Sequence, residues 1–334
     1  MLSVSPVGLL VAMTLSSSKS VITDILIHSF DARIQHLLAP SAFEADFTSA
    51  THSGEDFSTT IEAANRAFAS MMLTMSSQCI AMWSGPRNIS TTMIRPWENH
   101  SDTDVIDGPF DAHFLKETGI DHPMADEVIA AGNTGFAAAI EGLHTVPETG
   151  ALCQKHITAH WMDDFPTDWL TSQKHVFLIR EPARVVTSYA IKRQDLTAFD
   201  LGYAQQAAPF DVVTNRQGAP PVVFNSARFL ENPESQLQSV CEYLELDFED
   251  TMLNWPAGRR TSDGVWGAHW YDSVFTSTEF GPVNSKPLYL SGEQQQVVEL
   301  CQPYVRGYES KHAITTMLNY NLSAPRVRNY WRCR

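Results

Sequence analysis

The segment Ser84-Gly85-Pro86-Arg87-Asn88-Ile89-Ser90-Thr91-Thr92-Met93 follows the apolar run Cys79 to Trp83 and leads into helix-compatible sequence up to Trp97, interrupted by Pro96. A strand, a turn and a helix in that order aim successive backbone N–H groups and the positive helix end at one point, which suits an anion with several oxygens. Arg87 adds a full charge there, and Ser90, Thr91 and Thr92 add hydroxyl donors. The G-K-[ST] ending of a Walker A loop is missing, so an ordinary ATPase reading is weak. The competing reading is a plain helix start, with the serine and threonines as local caps.

A second unit begins with His175-Val176-Phe177-Leu178-Ile179-Arg180 and continues through Glu181-Pro182 into a helix expected from about Ala183 to Lys192. Pro182 suits a helix entrance. Arg180 leaves its strand at the carboxyl edge, where open α/β sheets bind ligands, and Ser188 lies two turns into the helix, so both can face one phosphate. Alone, this pair says little, and a surface arginine followed by a helix serine would do as well. A third run, Leu152 to Trp161, leaves a strand end with Lys155, His156 and His160 close together. If the chain turns helical after Lys155, His156 and His160 share one face at i and i+4. Core or capping roles compete with a catalytic one. A two-histidine metal site is weaker, because no H-E-x-x-H glutamate accompanies them.

These residues need a rigid scaffold. From Cys79 onward, short apolar runs alternate with helical ones, the pattern of a parallel sheet wrapped by helices, so the fold class is α/β. The expected strands are Cys79 to Trp83, Asp104 to Asp107, Ala151 to Lys155, His175 to Ile179 and Pro221 to Phe224. Leu237, Val240, Cys241 and Leu244 fall at helical spacing within Pro233 to Leu244, with Asn232 available as a cap. Asn254 to Phe280, aromatic and without periodicity, reads as a long ordered loop of the kind that often carries function.

With 334 residues and 43% hydrophobic content, the chain can bury a substantial core. Its formal charge of −15 argues against a broad nucleic-acid surface, so cations that meet phosphate must be local. Cys79, Cys153, Cys241, Cys301 and Cys333 lack disulfide or zinc spacing, which fits a reducing, cytoplasmic setting. Val7 to Leu15 is apolar, but no basic residue precedes Lys19, so it matches a secretory signal poorly and is too short to span a bilayer. Residues 1–76 read as a weakly specified extension with one helix-like stretch, Thr59 to Met72, and Met71, Met72 or Met75 could start the functional domain. Residues 77–310 read as that domain and 311–334 as a tail, its basic end Arg326 to Arg334 solvated.

The first two motifs together resemble a known family. Pro86 to Met93, PRNISTTM, resembles the PRSGSTLL-type 5′-phosphosulfate loop of P-loop sulfotransferases, and Arg180 to Tyr189, REPARVVTSY, resembles their RDPRDVxxSY-type 3′-phosphate motif. The runs MWSGPRNISTTM, DHPMADEVIA and DGVWGAHWYDSV look like a bacterial sulfotransferase-like group related to the domain in plant branched-chain aminotransferase-like proteins. The resemblance covers about Gln78 to Gly281. It implies a P-loop NTPase-like parallel sheet and, as co-substrate, 3′-phosphoadenosine 5′-phosphosulfate, with no metal.

On that resemblance, Pro86, Arg87, Asn88, Ile89, Ser90, Thr91 and Thr92 bind the donor's 5′ side, with Arg87 in the place of the family's catalytic cation. Arg180 and Ser188 hold the 3′-phosphate. The acceptor's proton needs a base, for which His160 is preferred over His156; the family's K-x-H arrangement is not reproduced. Two departures stand out. Relatives read DEPFYAH where this chain has Asp107-Gly108-Pro109-Phe110-Asp111-Ala112-His113, and the phosphate loop has Asn88-Ile89 where a glycine is usual. Arg259 and Arg260 resemble a loop closing over the 3′-phosphate, although a basic surface turn competes, and Trp266, Trp270 and Tyr271 are candidates to line an acceptor pocket. The expected activity is sulfuryl transfer to a small hydroxyl or amine acceptor, with no nucleic-acid or stable membrane partner. The alternatives are a non-catalytic nucleotide binder of the same fold and a nucleotide kinase or hydrolase.

Overall fold

The computed structural model describes residues 77–144 and 150–310. The helix-like stretch Thr59 to Met72, the candidate starts, the apolar run Val7 to Leu15, Cys333 and the basic tail lie outside the described residues.

Five strands form one all-parallel sheet: β1 (Gln78–Ser84), β2 (Thr103–Asp107), β3 (Ala151–Ile157), β4 (Gln173–Ile179) and β5 (Val222–Asn225), in the order β2-β3-β1-β4-β5. Each contains an apolar run expected from sequence. The fold is α/β, with helices flanking the sheet. Alternation along β1 shows why both faces are covered: Ala81 and Trp83 enter one core, Ile80 and Met82 the other.

The first core is closed by α4 (Phe136–Leu143), α5 (Pro182–Ala190), α6 (Tyr203–Gln217) and α11 (Gly292–Ser310), through Leu143, Val186, Phe210 and Val305 among others. The second is closed by α1 (Ser90–Asn99) and α8 (Pro233–Leu244), through Met93, Ile94, Leu237 and Val240. Each such fully buried side chain contributes about 1.5–3 kcal/mol. α8 has the expected bounds, and the Asn232 side chain accepts from the Ser235 N–H. α1 runs past the expected break at Pro96.

Between β2 and β3 lie α2 (Asp111–Thr118), α3 (Ala125–Ala131) and α4, the first two packed around Phe114, Leu115 and Val128. A short α7 (Ser226–Glu231) follows β5. Asn254 to Phe280 is largely irregular, as expected, but holds the one-turn helices α9 (Gly267–Trp270) and α10 (Asp272–Phe275) and a bridge from Asn254 to Glu279. The chain leaves β1 toward one edge of the sheet and leaves the neighbouring β4 toward the other, which opens a crevice at their carboxyl ends.

Candidate active site

The loop after β1 and the helix after β4 converge in that crevice. Arg87 Nε donates to Ser188 Oγ at 3.1 Å, and Arg180 Nη1 donates to the Arg87 carbonyl at 2.6 Å. Tyr203 Oη donates to the Arg180 carbonyl at 2.7 Å and fixes the strand end from behind. Arg87 Nη1 also donates to the Trp270 carbonyl, so one guanidinium joins the loop, α5 and the long segment before α10. Burial lowers the pKa of both guanidiniums, opposed for Arg87 by Asp272 and for Arg180 by Tyr203. A guanidinium remains cationic across the ordinary pH range.

The loop's backbone is unusual. Arg87 and Ile89 both take left-handed conformations, φ 60° and 53°, on either side of Asn88. Such alternation points adjacent amides into one concavity, and α1 begins there without any side-chain cap. The local side-chain cap of the competing reading is thus not made at this helix start. Ile89 occupies the glycine position of the motif and takes a glycine-like conformation at a cost in strain. Gly85 permits the tight entry, since a Cβ there would lie 2.5 Å from the Leu201 carbonyl oxygen.

Pro86 to Thr92, Arg180 and Ser188 all line a single cavity of about 250 Å³. The Asn88 side chain is engaged by the protein itself: Nδ2 donates to the Leu178 carbonyl at 2.9 Å, and the Ser226 hydroxyl lies against Oδ1. Asn88 therefore staples the loop to β4 and α7.

His160 also lines the cavity, from a short turn Thr158–His160 after β3. Its Nδ1 lies 2.7 Å from Asp111 Oδ1, and the Phe114 ring stacks on it with centroids 4.6 Å apart. Asp111 and Phe114 sit one turn apart on α2, so one helix supplies both partners. A proton on Nδ1 facing the carboxylate leaves Nε2 as the basic atom. Nothing local signals this pairing beyond Asp111's unusual position.

His156 is corrected. β3 continues through Ile157 instead of turning helical after Lys155, so His156 and His160 do not share a helical face. His156 is 1% exposed, stacks on Trp83 at 4.4 Å, and does not line the cavity. Burial pushes its pKa down to about 3. It belongs to the core.

Lys155 points the other way, into a cluster that sequence reasoning missed. Its Nζ donates to Asp107 Oδ1 at 2.5 Å and to Tyr271 Oη at 2.6 Å, while Tyr271 donates to Asp107 Oδ2 and receives the Trp266 indole N–H. Burial alone would lower the lysine's pKa; Asp107 and Tyr271 overcome it and raise it. Trp266, Trp270 and Tyr271 line the cavity, as expected. Arg259 and Arg260 do not; Arg260 N donates to Asp263 Oδ2 within a turn. Arg95, also missed, is 1% exposed and pairs with Glu98 and Asp263.

The chain is 29% identical over 228 residues to branched-chain-amino-acid aminotransferase-like protein 2 of Arabidopsis thaliana, covering 68% of this chain and 40% of that protein. It is 31% identical over 214 residues to protein 1 of the same name and organism, covering 63% and 38%. The chain thus spans well under half the length of these relatives. Among solved structures, a mouse sulfotransferase complexed with PAP aligns at a TM-score of 0.41 and 10% identity, over 73% of this chain and 89% of that one. Residues 78–309 match the family described as Sulfotransferase domain, and the chain belongs to that family.

Proposed function

We propose that the chain moves a sulfuryl group from 3′-phosphoadenosine 5′-phosphosulfate to a small hydroxyl or amine acceptor. The observation that carries this reading is the convergence of Arg87 with Arg180 and Ser188, from motifs about 100 positions apart, on one cavity. The residues fit such a donor: an uncapped helix start with two left-handed residues for the 5′ side, and an arginine and a serine hydroxyl for the 3′-phosphate. The donor would supply the activated sulfur–oxygen bond. His160 Nε2 takes the acceptor's proton as the acceptor bonds to sulfur, and Asp111 stabilises the resulting imidazolium. Arg87 faces the negative charge that gathers on the departing 5′-phosphate oxygen.

A second reading, nucleotide binding without turnover, is favoured by strained Ile89 in a glycine's place and by Gly108 where relatives carry a carboxylate. A reducing, cytoplasmic setting is part of the proposal, supported by the free buried thiols Cys79, Cys153, Cys241 and Cys301. Among the described residues, no helix is long and apolar enough to cross a membrane.

Calorimetry with 3′-phosphoadenosine 5′-phosphate tests the donor site. Wild type binds, and Arg180→Ala binds roughly 10- to 100-fold more weakly, as loss of a charged hydrogen bond implies. Absence of binding by wild type rejects both readings. In an acceptor screen, Arg87→Ala lowers transfer by about 10²- to 10³-fold; full transfer by that variant refutes its role, and no transfer by wild type selects the second reading.

A further inference from the structure

The loop after β1 is held from behind by groups that the scheme above does not use. Ser226 opens α7 just beyond β5, is 2% exposed and does not line the cavity. Its hydroxyl is not needed as the cap of that helix, because the Asn225 side chain already accepts from the Ala227 N–H at 3.0 Å. Instead it reaches two oxygens: Asn88 Oδ1 in the loop, and the Ile179 carbonyl, 2.8 Å away, at the end of β4. Buried Asn88 commits its Nδ2 to the Leu178 carbonyl, so its amide oxygen faces Ser226. Gln206 of α6, also buried, donates to the same Leu178 carbonyl at 3.1 Å. Polar side chains from the loop, α6 and α7 thus converge on two successive carbonyls of β4.

The place of this cluster gives it a consequence for the cavity. Asn88 stands between Arg87 and Ile89, the two residues held at φ 60° and 53°. Non-glycine residues keep such conformations only where their surroundings over-determine them. The Ser226 hydroxyl is the donor that Asn88 Oδ1 meets among the described residues. Without it, Oδ1 becomes a buried acceptor lacking a partner, and the amide gains by turning away from Leu178 toward water. The two anchoring carbonyls belong to the residues just before Arg180, whose Nη1 donates to the Arg87 carbonyl. One clamp therefore sets both the shape of the loop and its distance from Arg180.

We infer that Ser226 is a positioning residue for the donor's 5′-phosphate: through Asn88 it holds the left-handed pair, so that the loop's amides keep their aim before the anion arrives. This rests on the sulfuryl-donor reading and concerns one end of that donor. Preorganisation of this kind shows as affinity, since a cradle that has to be ordered on binding loses part of its interaction to that ordering. The other end is separate. Arg180, fixed through its carbonyl by Tyr203, and Ser188 on α5 make no bond to Ser226 or to the Asn88 side chain.

The test uses the full chain and two nucleotides: 3′-phosphoadenosine 5′-phosphate by calorimetry, and adenosine 3′-monophosphate, which lacks the 5′ group, by competition against it. Ser226→Ala weakens the bisphosphate roughly tenfold or more and the monophosphate no more than about twofold. In an Asn88→Ala background the same substitution changes bisphosphate affinity by no more than about twofold, because its route to the loop is gone. Should the alanine variant not fold, Ser226→Cys, which keeps the volume but donates weakly, shows a loss of the same selectivity. The inference is overturned if Ser226→Ala binds the bisphosphate as wild type does, if both nucleotides weaken equally as a merely structural role requires, or if the loss persists undiminished beside Asn88→Ala. Failure of the wild type to bind the bisphosphate overturns the donor reading instead.

Discussion

Asp111 occupies the space that a side chain at position 108 would need: a Cβ on Gly108 would lie 2.6 Å from Asp111 Oδ2, and equally close to the Trp266 ring. Gly108 also holds φ at +58°, a conformation that penalises other residues. Gly108 and the carboxylate of Asp111, which lies against His160, therefore compete for one space. Gly108→Ala should cost about 1–3 kcal/mol in urea melts. In an Asp111→Ala background that cost should fall by at least about 0.5 kcal/mol, the coupling expected for touching residues. Strict additivity would show that the two positions do not compete.

Ile89 combines backbone strain with partial packing against the second core. Ile89→Ala loses the packing and keeps the strain, while Ile89→Gly loses the packing and relieves it. The glycine variant should be more stable than the alanine variant by about 1 kcal/mol, reversing the usual order of these residues. Thermal melts of the pair decide the matter, and an alanine variant that melts higher would argue against a strained loop.

Lys155, Asp107 and Tyr271 form a buried charged set, with Lys155 and Asp107 side chains each 3% exposed. Removing one ion leaves the other uncompensated, so Asp107→Ala should destabilise by about 3–5 kcal/mol. Asp107→Ala combined with Lys155→Met should cost clearly less than the sum of the single variants. Denaturant unfolding of all four proteins checks this; a double variant as unstable as the sum would show the charges act independently.

Acid should weaken the fold through its buried histidines. Burial pushes His156 down to about 3 and His175 to about 4, the latter against the opposing bond to the Leu170 carbonyl, and His175 Nδ1 accepts from the Trp83 indole N–H, which a protonated ring could not do. An unfolded histidine titrates near about 6.5, so below that pH the unfolded chain binds more protons than the folded one. The stabilisation is complete above pH about 6.5 and is lost as pH falls toward the folded values, by about 2 kcal/mol per histidine at pH 5. Urea melts at pH 7.5 and 5.0 should show a smaller acid loss for His156→Phe than for wild type. Parallel losses would assign the acid sensitivity elsewhere.

Much of the scaffold was written locally. The runs around Ile80, Val105, Cys153, Phe177 and Val223 are short, apolar and bounded by turns, so each strand announced itself. Asn232 and Pro233 likewise fixed the start of α8. The meeting of Arg87, Arg180 and Ser188 was legible because each lies at a fixed distance from a strand end. His160 with Asp111 was not, since the partners are 49 positions apart and meet only through the packing of α2. Lys155 and His156 show the hazard of assuming a helix at a strand end. Adjacent residues of a strand face opposite sides, so one joined the cavity wall and the other the aromatic core around Trp83.

Arg95 ties the helix that opens with the phosphate loop to Asp263, in the segment that also carries Trp266 and Tyr271. Grafting residues 256–271 from a relative would remove one of the two counter-ions of a cation that is 1% exposed, leaving it Glu98 alone. That stretch of cavity wall is thus exchangeable only as a cassette that includes Asp263 and a matching partner on α1, because the two are joined through one buried ion pair.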